Sequence, residues 1–233
     1  FPVRVMKYLG VEKLVVSNAS GGVNPSYKVG AIIMITDHIN MTPEHPLRGK
    51  NDERFGPRFV NMSEPYSRKM IAKATELAKE LNIEVHEGIY LGLQGPTYET
   101  LAEYKMVKIV GADCVGMSTV PEVIVARHMD LETFGISVIT DMGNEESIGT
   151  ISHEEVLEAA KGAEPKVRTL IRELILKYYV PSERKIGFHF DNYHPQIEEL
   201  LLEYLPNDIV VDQVGVTSFT TIDNEVIEFD LHN

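Results

Sequence analysis

Over residues 1 to about 178, short apolar runs alternate with stretches whose apolar residues recur every three or four positions. That alternation is the pattern of helices packed around a largely parallel or mixed sheet. Strands are predicted at Leu14–Ser17, Ala31–Thr36, Glu84–Leu93, Asp113–Met117 and Phe134–Thr140. In the third run Ile83, Val85, Ile89, Leu91 and Leu93 alternate with Glu84, His86, Gly88, Tyr90 and Gly92, which gives two unlike faces broken only by Glu87. Helical spacing is equally plain in Tyr66, Met70, Ile71, Ala74, Leu77, Ala78 and Leu81, one apolar stripe for the core to cover. Ser152 and Glu155 form a capping-box pattern, followed by Val156, Ala160, Ala163, Val167, Leu170 and Leu174 in helical register. Pro165 is predicted to kink or divide that helix.

Two stretches break the pattern. Residues 40–58 are rich in Pro, Gly and charge and too long for a simple turn, so they read as a functional loop or an intersubunit arm. Near Tyr179–Glu183 the rhythm changes to a strand at Lys185–Phe190, a helix at His194–Tyr204 and strands at Ile209–Val216, Ser218–Ile222 and Glu225–Leu231. The expectation is an α/β domain over 1–180, its sheet mixed and partly closed with helices around it, then a small α+β segment over 181–233. His189, Asp191 and His194 stand close together there and read as turn and cap residues rather than metal ligands.

Composition narrows the partners. With 43% hydrophobic and 24% charged residues in 233, the chain can bury a core and lacks the bias of a disordered one. A formal net charge of −13 argues against nucleic acid and anionic membrane as partners, so any phosphate must be gripped locally. The lone Cys114 can form no intrachain disulfide and reads as a small buried hydrophobe. No apolar run is long enough for a bilayer and no signal pattern opens the chain, so a cytoplasmic location is expected. The start at Phe1 rather than Met fits a numbering that begins inside a longer gene product.

Four segments at strand ends and turns carry candidate chemistry. Gly116-Met117-Ser118-Thr119-Val120-Pro121-Glu122 opens a helix, with Thr119 and Glu122 spaced as a capping box and Pro121 in the first turn. Its free N–H groups and the Ser118 hydroxyl can bind an anion without a cation; the plain alternative is a capped helix with no ligand. Val16–Gly22 offers small residues for close backbone approach, or an ordinary tight turn. Glu99 stands in a turn leading into a helix and Asp141 follows an apolar strand; alone, they read as a dipole partner and an Asx turn. No Cys/His cluster suggests a metal and no Gly-x-Ser-x-Gly elbow suggests a serine hydrolase.

Taken together, Val16–Pro25, Asp37–Asn40, Asn51–Phe59, Gly95–Glu103 and Gly116–His128 resemble the trimeric purine nucleoside phosphorylases, with NDERFGPRF, GPTYET and GMSTVPEVIVARH in the family's order. The resemblance covers residues 1 to about 178 and implies a nucleoside-phosphorylase-type fold in a homotrimer. It implies phosphate-dependent cleavage of purine nucleosides, with no cofactor besides inorganic phosphate as co-substrate. By the same resemblance the Ala19 backbone and the Ser118 hydroxyl hold phosphate, and Met117 packs on the ribose. Tyr98, Glu99, Asp141, Tyr90 and Leu93 form the base pocket, with Glu99 and Asp141 serving catalysis. His153 faces the 5′-hydroxyl, and Phe59 is lent by the neighbouring subunit.

The chain departs from that pattern in places. Where enzymes acting on 6-oxopurines have Asn, this chain has Asp141, which when ionised only accepts and so suits a 6-amino group. An Asp141 that keeps a proton beside Glu99 donates to nitrogen-7 instead. His153 argues against methylthioadenosine, leaving inosine or guanosine first and adenosine next. Family members also carry, ahead of the point matching Phe1, a Gly/Ser phosphate loop and an Arg-x-His motif. The expectation is therefore a chain weakly active or inactive alone, with a non-catalytic nucleoside-binding remnant as the competing reading. The residues after about 181 resemble no family ending.

Overall fold

The computed structural model describes residues 1–143 and 153–179, and beyond them the four short strands 187–189, 210–212, 217–220 and 226–229. The chain divides into two compact units, Phe1–Tyr178 and Tyr179–Asn233.

The first unit is built on five strands: β1 (Lys13–Gly22), β2 (Ile32–Asn40), β3 (His86–Gly92), β4 (Cys114–Gly116) and β5 (Glu132–Met142). They close into a barrel in the order β1-β4-β3-β2-β5. β2, β3 and β4 run parallel to one another, as do β1 and β5, and the two groups meet antiparallel at β1·β4 and β2·β5. The expected mixed sheet is thus present and goes further than partial closure, because joining β1 to β4 leaves no strand edge to shield.

Helices α1 (Pro2–Tyr8), α2 (Arg68–Glu80), α3 (Leu101–Ile109), α4 (Val120–His128) and α5 (His153–Tyr178) accompany the barrel. α2 forms where the apolar stripe predicts it: the Ser67 hydroxyl caps its start by accepting from the Met70 N–H, and Met70, Ile71, Ala74, Leu77 and Ala78 are buried. α3 begins with a complete capping box, Thr100 with Glu103, so the backbone just past Glu99 is fixed. Unpredicted from the pattern, α1 is a seven-residue helix with Pro at its start.

Two sequence expectations need correction. Pro165 does not divide α5, which runs unbroken through it. The proline is exposed, so the carbonyl it leaves unpaired can face water, while Ala163, Leu170 and Leu174 hold the opposite side in the core. Nor does β3 have one wet face: Gly88, Tyr90 and Gly92 are buried, as is Leu91. In a barrel wrapped by helices both faces of a strand are covered. Leu91 packs with Val23, Tyr104, Val107, Ala112 and Val115, while Ile89 and Leu93 border that cluster. Cys114 is buried and free, and burial pushes its thiol up to about 12.

In the second unit β6 (Gly187–His189) pairs parallel with β7 (Val210–Asp212), and β8 (Thr217–Thr220) pairs antiparallel with β9 (Val226–Phe229). The four predicted strands therefore have counterparts. The helix expected at 194–204, with Asp191 and His194, lies outside the described residues, as does the expected Ser152 cap. Among the described residues no helix is long and apolar enough to cross a membrane.

Packing across the barrel wall leaves little slack. A Cβ at Gly135 on β5 would stand 2.7 Å from Cε1 of the fully buried Tyr66 and 3.2 Å from Cβ of Ile35. Gly135→Ala is expected to lower stability by about 1–3 kcal/mol, as overpacking does, read as a lower urea midpoint with an unchanged slope.

Candidate functional site

The site begins where β1 and β4 separate. Their antiparallel pairing is recorded at Gly22↔Cys114 and Gly21↔Val115. Continued in the same register, it would set Ala19 level with Met117 and Asn18 with Ser118. Instead the Asn18 side chain bridges the gap, its amide N–H donating to Oγ1 of Thr119 at 2.7 Å. On its other side the Asn18 amide oxygen accepts from the Ser137 hydroxyl at 2.6 Å.

These contacts fix the direction of a longer chain of hydrogen bonds. Ser137 has spent its only proton on Asn18, so in the 2.6 Å contact between Ser20 and Ser137 the donor is Ser20. The contact between Ser118 and Thr119 spans 3.1 Å. With the amide occupying one acceptor position on Thr119, Thr119 is free to donate onward to Ser118. Protons then point from Ser20 through Ser137 to Asn18 and from Asn18 to Thr119, which in turn meets the Ser118 hydroxyl at 3.1 Å. Ser20, Ser137 and Thr119 are buried whereas Ser118 is exposed, so the chain opens to solvent at the end that can meet an anion.

Thr119 pays a conformational cost for this position. Its φ of 72° and ψ of −51°, with the Val120 N–H bonded to the Ser118 carbonyl at 2.7 Å, describe a strained γ-turn. Such a conformation in a β-branched residue costs about 1–3 kcal/mol and persists only where its surroundings hold it. The Thr119–Glu122 capping box expected from the sequence is absent: the Thr119 side chain makes no cap bond, because its oxygen is engaged by Asn18. The turn is also braced from below by Tyr90, fully buried, whose hydroxyl accepts from the Ser118 N–H at 3.3 Å. Burial pushes the Tyr90 phenol up to about 12, opposed by hydrogen bonds from the Ser118 side chain and backbone and aided by the charges of Cys114 and Glu99.

A second group of residues stands beside the first. Gly95, at φ 63°, has no room for a side chain because the Met117 sulfur lies where a Cβ would be. The loop carrying Tyr98 and Glu99 is thereby packed on the residue next to Ser118. Tyr98 is 39% exposed, and Leu93 donates its N–H to the Gly116 carbonyl at 2.9 Å. From the opposite strand comes Asp141. At the bulge after Ser20, β5 carries one extra residue, Thr140, so that Asp141 stands opposite Gly21. Tyr104 of α3 donates its hydroxyl proton to Oδ2 of Asp141 at 2.8 Å, and Thr140 donates to Oδ1 at 3.1 Å.

Burial raises the Glu99 carboxyl above the ordinary glutamate range; its own backbone N–H and Tyr104 oppose this, and the charges of Asp141 and Glu103 add to it. Ser118, Met117, Tyr90, Leu93, Glu99 and Asp141 thus belong to one connected region, with Ala19 next to Asn18 on β1 and Tyr98 next to Glu99 in the chain. Phe59 does not join them: it is 90% exposed, with the Arg58 guanidinium 6.0 Å from its ring centroid. His153 begins α5, and its side chain lies outside the described residues. Asn18 and Tyr104 were not singled out from the sequence, and Thr119 was read there only as a helix cap. For Asn18 the available signal was a polar residue followed by Ala, Ser and two Gly at a strand end.

Two consequences can be measured. Asn18→Ala leaves the buried Thr119 and Ser137 hydroxyls without their shared partner and is expected to cost about 1–3 kcal/mol in urea unfolding. For Glu99, the folded state binds the proton more tightly than the unfolded one. Its contribution to stability is full below the ordinary glutamate pKa and is lost as pH rises through the raised value. Glu99→Gln should therefore match the parent near about pH 4 and gain on it towards about pH 8; thermal midpoints of both proteins across that range test the sign.

Known proteins resemble this chain over most of its length. Residues 1–176 match the family described as the phosphorylase superfamily. The chain is 52% identical over 182 residues to a purine nucleoside phosphorylase of Bos taurus, covering 75% of this chain and 63% of that one. It is 45% identical over 175 residues to purine nucleoside phosphorylase 1 of Geobacillus stearothermophilus, covering 75% and 64%. A solved structure of the Schistosoma mansoni purine nucleoside phosphorylase in complex with adenosine superposes with a TM-score of 0.73 at 39% identity, covering 77% of this chain and 67% of that one. The chain spans under two thirds of the length of the two curated relatives. With the match running from its first residue through most of α5, the chain belongs to the phosphorylase superfamily.

Proposed function

We propose that this chain carries the nucleoside and phosphate contacts of a purine nucleoside phosphorylase, which cleaves purine ribo- and deoxyribonucleosides to free base and pentose 1-phosphate in purine salvage. The observation that carries this reading is the exposed Ser118 hydroxyl at the end of a hydrogen-bond chain anchored by Asn18, with the Met117 sulfur packed against the loop that bears Glu99. An anion site and an acidic base-binding site thus lie on either side of one thioether, a span suited to a sugar.

In this reading phosphate is held by Ser118 and by the backbone near Ala19, where β1 has parted from β4. Met117 supports the ribose, Tyr98 covers the purine, and Glu99 and Asp141 hold its edge, with Leu93 and Tyr90 behind them. His153 faces the 5′-hydroxyl. Phosphate attacks carbon 1 of the sugar while the bond to the base nitrogen breaks, and the electron pair leaves with the purine. Holding both reactants in line can remove about 7–11 kcal/mol of barrier. A proton or hydrogen bond given to the departing base is worth roughly 10²–10⁴ in rate. The reaction needs neither metal nor organic cofactor. The exposed Phe59 suits the part of an aromatic lent to a neighbouring site in a homotrimer, and a cytoplasmic location suits purine salvage.

Asp141 also favours a second reading, cleavage of adenosine or methylthioadenosine, since its Oδ2 accepts a hydrogen bond from Tyr104. A panel of inosine, guanosine, adenosine and methylthioadenosine, with and without phosphate, separates the two. Base release is expected only with phosphate. Hypoxanthine or adenine should bind more tightly in calorimetry when phosphate is present, and Ser118→Ala should abolish that synergy and weaken phosphate by about 10- to 100-fold, as loss of a hydrogen bond to a charged group does. Phosphate-independent cleavage, or base binding indifferent to phosphate in the parent, would overturn the proposal.

A further inference from the structure

Tyr104 has a position that its role in the core does not require. It is 4% exposed and packs with Leu91, Val107 and Val115, which accounts for the ring. A buried phenol needs a partner for its hydroxyl, and a backbone carbonyl would serve as well as a side chain. Here the hydroxyl reaches Oδ2 of Asp141 at 2.8 Å and lies close enough to Glu99 for each to alter the other's proton affinity. Two glycines make the room. A Cβ at Gly21 would stand 3.0 Å from both the Tyr104 hydroxyl oxygen and Oδ2 of Asp141, and the Tyr104 ring fills the space a side chain at Gly143 would need.

A phenol has one proton to give. The structure points it at Oδ2 of Asp141, while Oδ1 lies 3.1 Å from the Thr140 hydroxyl, whose single proton is also within reach of the Ser20 carbonyl at 3.3 Å. With the phenol donating to it, Oδ2 is held as an acceptor, and its remaining lone pair can only receive hydrogen from a ligand. Glu99 competes for the same phenol proton, since its interaction with Tyr104 opposes the rise of the Glu99 carboxyl. Tyr104 therefore has two acidic neighbours and one proton, and the 2.8 Å contact gives it to Asp141.

We propose that Tyr104 is a positioning residue for base recognition: by donating to Oδ2 it fixes Asp141 as a hydrogen-bond acceptor, and so favours a purine that presents an amino group at carbon 6 over one that presents an oxygen. This rests on the purine reading given above and names the substrate class within it. A 6-oxopurine offers Asp141 an acceptor facing an acceptor, and is admitted only where a proton is placed between them. Losing the phenol donor releases that constraint, since Asp141 can then share the Glu99 proton or rotate.

The test is Tyr104→Phe, which keeps the ring between Gly21 and Gly143 and removes only the hydroxyl. The ratio of kcat/KM for adenosine to that for inosine is expected to fall by about tenfold or more, the scale of one hydrogen bond to a charged group. A role confined to packing would lower both substrates together and leave the ratio alone. Thermal midpoints of both proteins establish that the variant is folded, and Tyr104→Trp, whose indole N–H can donate but whose shape differs, gives a second variant should the first not fold. If the parent cleaves neither nucleoside, calorimetric titrations with adenine and with hypoxanthine supply the same ratio. A parent that binds at least one base, with a ratio unmoved in the folded variant, overturns the role of Tyr104 alone. A parent that binds neither overturns the purine reading and this inference with it.

Discussion

The orientation of one amide, that of Asn18, decides what the anion side of this site can do. Its oxygen takes the Ser137 proton and its nitrogen donates to Thr119, so the hydroxyls on either side cannot reverse their direction independently. A run of serines and threonines without such an anchor would have two equivalent polarities and no preference for donating outward. The anchor is itself fixed by the parallel pairing of β1 with β5, which sets Asn18 level with Ser137. Barrel register thus becomes hydrogen-bond polarity, carried from Ser20 to the Thr119 hydroxyl beside Ser118.

Two local irregularities do the aiming. The γ-turn at Thr119 is unfavourable in isolation, yet it swings the Thr119 oxygen toward β1 and away from the helix it precedes. The bulge at Thr140 adds one residue to β5, which brings Asp141 beside Gly21 and under the Tyr104 hydroxyl. Each departs from regular structure by a single residue, and each stands at the end of a strand whose interior is regular and fully buried.

Much of the frame was legible in the sequence. Each of the five barrel strands overlaps a predicted one, and the apolar stripe of α2 has the residues and the cap that its spacing requires, because alternation and helical period are imposed by burial itself. The resemblance of residues 1–178 gathered Ser118, Met117 and Glu99, which the structure brings into one region. What could not be read were features that depend on residues far apart in the chain. Thr119 looked like a helix cap because its spacing to Glu122 is right; only the presence of Asn18 across the barrel takes its oxygen away. Tyr104 reads as an ordinary core position on α3 until Asp141, 37 residues later, is folded over it. Likewise Pro165 carries a general rule against helix interiors, and which side of α5 meets water is decided by tertiary packing.

The contact between Gly95 and Met117 ties together parts of the molecule that chemistry would treat separately. Because the Met117 sulfur occupies the only space over Gly95, the loop bearing Tyr98 and Glu99 cannot lift without shifting the residue joined to Ser118. Movement of one loop would therefore be felt by the other, and the two parts become mechanically linked through a single flexible thioether.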